Sequence, residues 1–79
     1  MITEKKMRKY IPSDCQHKIK QIIIRENLDY DEKLRKYVNM YIVILNDNYM
    51  TINGNTKFAT ESIGKLAYTM RNSIVEKII

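Results

Sequence analysis

Apolar positions in this chain fall into three stretches of different period. The densest runs from Tyr37 to Phe58, where KYVNMYIVIL (from Lys36), YMTI and TKF are separated by Asn46-Asp47-Asn48 and Asn53-Gly54-Asn55. Side chains alternate along a strand, so Val38, Met40, Ile42 and Ile44 share one face. Tyr37, Asn39, Tyr41, Val43 and Leu45 share the other. A three-residue loop at Asn46-Asp47-Asn48 sets Ile44 opposite Met50 and Ile42 opposite Ile52, which extends the even-numbered apolar face; a two-residue loop mixes the faces. Asn53-Gly54 accepts the positive φ of a tight turn, and Thr56-Lys57-Phe58 then supplies a short third strand. The pattern predicts an antiparallel hairpin or three-strand meander over 37–58 with its even face inward.

A second period overlaps the first. Tyr30, Leu34, Tyr37, Val38, Tyr41, Ile42 and Leu45 recur at helical spacing, and Asp29 with Glu32 makes a capping pair in front of them. The β-branched and aromatic run after Lys36 favours strand. The two signals are reconciled by a short helix over 30–36 that hands over to the strand.

The flanking stretches read as helices. Ser13 with Gln16 has the form of a capping box, and Cys15, Ile19, Ile22, Ile23 and Glu26 follow at helical spacing, predicting a helix over 13–27. Ile63, Leu66, Ala67, Met70, Ile74 and Ile78 repeat in the same way and predict a helix over 60–79, packed across the even face of the hairpin. Tyr68, Val75 and Ile79 lie off that stripe, which favours self-association. Residues 1–12 form a basic segment, a short helix or arm stopped by Pro12. The expected fold is therefore α+β, one small domain with a helix, the hairpin or meander, and a closing helix.

Charge changes the picture at one end only. Residues 1–20 carry six basic and two acidic side chains, the remaining 59 carry eight and seven. Lys5, Lys6, Arg8 and Lys9 make a compact cationic patch suited to phosphates or an acidic protein surface. Cys15 is the only cysteine, so a disulfide framework is excluded and a reducing, cytoplasmic setting is expected. The longest apolar run, Met40 to Leu45, is too short to span a bilayer, and no membrane partner is expected. Ile, Lys, Asn and Tyr supply 36 of the 79 residues while Gly, Ala, Arg and Pro supply 9, a balance of AT-rich codons that suggests a phage, viral, mobile-element or low-GC bacterial gene.

Catalytic constellations are missing from the sequence. On a helix Cys15 and His17 point apart, so they make no thiolate–imidazole dyad. One Cys and one His fall short of a zinc site. Asp29, Asp31, Glu32 and Asp47 do not follow calcium-loop spacing, and with Gly54 and Gly64 as the only glycines there is no phosphate-binding loop. No enzyme activity, metal or cofactor is expected.

Six tyrosines against one phenylalanine and no tryptophan are more informative. Tyr37, Tyr41 and Tyr49 fall on the hairpin face opposite the expected core, where tyrosines anchor protein interfaces or stack on bases. The order helix, three strands, helix resembles a double-stranded-RNA-binding domain, although GNTKFATESIGK holds only Lys57 and Lys65 where that family has a lysine cluster. Helices followed by a hairpin wing and a closing helix resemble a winged helix, which implies a recognition helix over Asp31 to Met40 carrying Lys33, Arg35 and Lys36. The leading expectation is a non-catalytic regulatory protein of phage or mobile-element origin. It docks through the tyrosine face and the basic segment on a macromolecular partner, a protein first, and inhibits or redirects it. The alternative is a nucleic-acid-binding regulator with Lys5, Lys6, Arg8 and Lys9 on phosphates and Lys33, Arg35 and Lys36 near base edges. Homo-oligomerisation fits either.

Overall fold

Four isoleucines within six positions, Ile19 and Ile22 to Ile24, begin the longest strand of the molecule. The computed structural model describes residues 1–79. A five-residue helix α1 (Glu4–Arg8) and a 3-10 segment (Ser13–Lys18) lead into β1 (Ile19–Asp31), then β2 (Lys36–Leu45), β3 (Tyr49–Thr51), β4 (Lys57–Thr60), α2 (Ile63–Arg71) and β5 (Val75–Lys77). The three longer-range strands form an antiparallel sheet in the order β1-β2-β4, and β3 pairs with β5 in a separate two-stranded ribbon. Mixed helix and strand in one small domain, with helices near both ends, agrees with the expected class. No helix is long and apolar enough to cross a membrane.

Three expected elements are corrected. The helix over 13–27 is a 3-10 turn followed by strand, because β-branched residues dominate from Ile19 to Ile24 and lose less rotamer freedom in a sheet than against a helical turn. The Ser13–Gln16 capping box does not form. Gln16 Nε2 instead donates to the carbonyls of Arg8 (2.7 Å) and Ile11 (3.2 Å), closing the end of α1. The helix over 30–36, and with it a recognition helix over Asp31 to Met40, is a turn between β1 and β2. There Asp31 Oδ1 accepts from the backbone N–H of Lys33 (2.9 Å) and Leu34 (3.0 Å), and Arg35 takes a left-handed φ of 53°. Thus neither the winged-helix order nor helix, three strands, helix describes the chain.

The C-terminal helix is shorter than the 60–79 expected. Ser62 caps it by accepting from Lys65 N (3.1 Å), and Leu66, Ala67 and Met70 are buried as the stripe predicted. It stops at Arg71 because Asn72 Nδ2 and Ser73 Oγ take the carbonyls of Tyr68 (2.8 Å) and Thr69 (2.6 Å), side-chain bonds that compete with a further turn. Ile74 and Ile78, which continued the helical period, are exposed on either side of β5.

The strand over β2 and both turns appear, but with other partners. Asn46 closes the first turn, accepting from Tyr49 N at its carbonyl (3.1 Å) and from Asn48 N at its side chain (3.0 Å). The chain then leaves the sheet, so β2 pairs with β1 and β4 and the Ile44–Met50 register does not form. The inward face is also reversed. Ile22, Val43 and Phe58 lie side by side across the three strands, and Tyr41, Val43 and Leu45 are buried with Met7, Ile11, Cys15, Leu66 and Met70. Val38, Met40, Ile42 and Ile44 form the half-buried outer face. Both faces of β2 are apolar, so alternation marks a strand without saying which side is covered.

Candidate docking site on the β1–β2 ribbon

β4 pairs with β2 only from Ile44 to Tyr41, where Tyr41 meets Thr60. The chain turns away there because Thr60 Oγ1 donates to the carbonyl of Ser62 (2.7 Å) and Ser62 begins α2. β1 and β2 continue alone for five more residues of β2, roughly 16 Å at strand rise. This two-stranded ribbon elongates the molecule to 41 × 26 × 19 Å and gives a radius of gyration of 13.0 Å, against about 11.6 Å for a compact domain of this length. The accessible surface of 5653 Å² likewise exceeds the roughly 5,000 Å² typical for this mass.

A bulge sits at the base of the ribbon, where pairing shifts between Arg25 and Asp29. Asn27 adopts a φ of 57°, which asparagine tolerates better than most residues, and its N–H donates to Asn39 Oδ1 (2.9 Å). Arg25 Nε meets Asp29 Oδ2 at 3.0 Å across the bulge. Beyond it Tyr30 faces Tyr37, Asp31 faces Lys36, and the two tyrosine rings meet edge to face at 5.3 Å. Leu28, Tyr30, Leu34 and Tyr37 are each more than half exposed. Four large, mainly apolar side chains are thus exposed on one narrow projection.

The three tyrosines singled out in the sequence part company here. Tyr37 is 60 % exposed on the ribbon, whereas Tyr41 is 6 % exposed in the core. Burial pushes the Tyr41 hydroxyl pKa up, the Glu26 carboxylate adds to this, and a hydrogen bond with Asn39 partly offsets it. Tyr49, half-buried on β3, meets the His17 ring edge-on at 5.8 Å with Lys18 Nζ 5.5 Å from its centroid. The expected tyrosine face does not exist, because Tyr49 belongs to another sheet and Tyr41 points inward. Leu28, Tyr30 and Leu34 join Tyr37 instead. The flanking of the polar DEKLRK turn by Tyr30 and Tyr37 was the sequence signal for them.

The cationic residues form two separate groups. Lys5, Lys6, Arg8 and Lys9 lie on and just after α1, which packs against β1, and the backbone N–H of Ile2 is tied to Glu26 Oε1 (3.0 Å) at the ribbon base. Arg8 is engaged with Glu4 (3.1 Å) and Gln16 (3.3 Å). Lys33, Arg35 and Lys36 cluster at the tip, and none takes part in the chain's three ion pairs. Residues 25–39 hold four basic and four acidic side chains.

No group of three or more His, Cys, Asp or Glu is placed to hold a metal ion. Cys15 is buried in the core, and burial with the nearby Asp14 carboxylate raises its thiol pKa, with Lys18 opposing. A raised pKa disfavours the nucleophilic thiolate. His17 is turned to Tyr49 and does not meet Cys15. Comparison with protein-family models, with curated proteins and with solved structures finds no match to this chain.

Proposed function

We propose that this chain is a non-catalytic regulatory binding protein that docks on a partner protein through its β1–β2 ribbon and inhibits or redirects it. The observation that carries this reading is the exposure of Leu28, Tyr30, Leu34 and Tyr37 together on a projection that the rest of the fold leaves uncovered. Covering the exposed halves of four such side chains is worth on the order of 3–6 kcal/mol before the costs of association. Tyrosine is also a residue type enriched among interface anchors. A benzophenone side chain in place of Tyr37 tests the reading, with the same replacement at the exposed Tyr68 of α2 as control. The expected result is a discrete protein adduct from position 37, absent from position 68 and lost when Leu34 is changed to Ala. Identical adducts from both positions, or none, overturn it.

A second reading, a nucleic-acid-binding regulator, draws on the unpaired Lys33, Arg35 and Lys36, since a two-stranded ribbon fits the major groove. The equal count of acidic and basic side chains along the ribbon, and the engagement of Arg8, weigh toward protein. Salt separates the two. Phosphate-driven binding weakens by orders of magnitude from low to moderate salt, and charge reversal of Lys5 and Lys6 with Lys36 then abolishes it.

A further inference from the structure

Backbone direction along β2 follows from two hydrogen bonds at its end. Leu45 N–H donates to Thr56 O (2.9 Å) on the β4 side, and Asn46 N–H donates to Lys18 O (2.8 Å) on the β1 side. Successive residues of a strand alternate in this respect. The N–H and C=O groups of Tyr41, Asn39 and Tyr37 therefore point to the β4 side, and those of Met40, Val38 and Lys36 point to β1. Since β4 ends opposite Tyr41, the main-chain groups of Asn39 and Tyr37 have no strand beside them.

A groove of about 260 Å³ lies against this part of β2, lined by Lys36, Tyr37, Val38 and Asn39, by Asn27 of the β1 bulge and Leu34 of the turn, and by Glu61 at the base just past the end of β4. Its ends carry opposite charge. Glu61 is exposed and free of ion pairs at one end, and Lys36 is exposed and free at the other beside Lys33 and Arg35.

We infer that this edge of β2 takes up an extended peptide segment of a partner as an added strand, in line with β4 and antiparallel to β2. The N–H groups of Tyr37 and Asn39 donate to the segment's carbonyls, and their carbonyls accept from its N–H groups. Running from Glu61 toward Lys36, the segment is basic at its N-terminal end and acidic at its C-terminal end. About five residues cover the distance at strand rise. The inference rests on the ribbon being the docking element and specifies how it is engaged.

The probe is an end-blocked heptapeptide of alternating threonine and valine with lysine first and glutamate last. Its charge-reversed counterpart serves as comparison, and both are titrated into the isotope-labelled full chain. The expected result is binding about tenfold tighter for the first peptide, with amide exchange slowed at Tyr37 and Asn39 and unchanged at Val38. Asn39→Pro removes an edge donor that β1 does not use and abolishes the protection. Asn39→Ala loses the side-chain bond to Asn27 but keeps the donor, and retains it. Three results overturn the inference: no binding of either peptide, equal binding of both, or shifts at Tyr30 and Tyr37 side chains with no amide protection. The last leaves ribbon docking standing and removes strand addition. Protection at Tyr37 and Asn39 without peptide, in a sample whose solution mass is that of a dimer, assigns the edge to a second copy and also overturns it.

Discussion

The body and the ribbon of this molecule are built from one pair of strands and held by different forces. In the body, β1 and β2 are flanked by β4 and covered by α1, the 3-10 segment and α2, so that Met7, Val43, Leu66 and Met70 are almost without solvent contact. Past Tyr41 the same strands lose their third partner and their cover. What remains there is cross-strand pairing, an edge-to-face tyrosine pair, an Asp31-capped turn and the Asn27–Asn39 bond at the bulge. An isolated two-stranded hairpin is only marginally stable in water, so the body has to anchor the ribbon at its base. The contrast shows that covering, not strand propensity, separates the stable part of this fold from the part free to meet something else.

Truncation in the body should have the largest effect. Leu66→Ala is expected to cost about 2–5 kcal/mol through lost burial and a residual cavity, read as a fall in the urea midpoint. A cost below the effect of Leu34→Ala, an exposed ribbon position expected to change stability by no more than about 0.5 kcal/mol, breaks the comparison.

Alkaline pH should act on the body as well. Cys15 and Tyr41 both have folded pKa values raised above their ordinary ones, chiefly by burial. The unfolded chain releases these protons first as pH rises. Stability is therefore full below the ordinary thiol and phenol values and declines as pH climbs from those values toward the raised ones. Urea midpoints measured through that range should drop, and Cys15→Ala should remove the part that begins first. A midpoint that is flat there, or rising, contradicts the burial of these two groups.

Within the ribbon, Tyr30→Ala should cost about 0.5–1.5 kcal/mol from the lost aromatic pair and no more. It should also raise amide exchange at Val38, whose N–H points to β1, while leaving Val43 protected. Exchange rising equally at Val43 means that ribbon and body unfold as one unit. The smallest effect is expected at Arg35, whose left-handed φ suits glycine. Arg35→Gly should be neutral or stabilising by up to about 1 kcal/mol, and a clear loss by thermal melting points to an unrecognised role of the arginine in the turn.

Much of the local structure was legible in the sequence. Strand formation over Tyr37 to Leu45, the Asn46–Asn48 and Asn53-Gly54 turns, a strand reaching Phe58, and a helix burying Leu66, Ala67 and Met70 all follow from short-range signals. Those signals are β-branching, alternation, Asx and Gly turn chemistry, and the 3.6-residue period. The misreadings share a cause. Ile19, Ile22 and Ile23 satisfy helical spacing and strand propensity at once, and Ile74 and Ile78 extend a helical period that Asn72 and Ser73 had already ended. Tyr30 and Leu34 were counted on a helical stripe whose turn chemistry, at Asp31, belonged to a hairpin.

Sequence by itself determined where strands and turns are possible, that the chain carries few ingredients for catalysis, and that tyrosines outnumber other aromatics. Tertiary structure alone decided which strands pair, which face of β2 is inward and where the sheet stops. Those outcomes depend on contacts between residues far apart in the chain: Ile22 and Phe58 on either side of Val43, and Ser62 drawing the chain off the sheet at Thr60. A strand apolar on both faces is indifferent to which side is covered until other elements arrive. The projecting ribbon exists because they cover only half the length of β2.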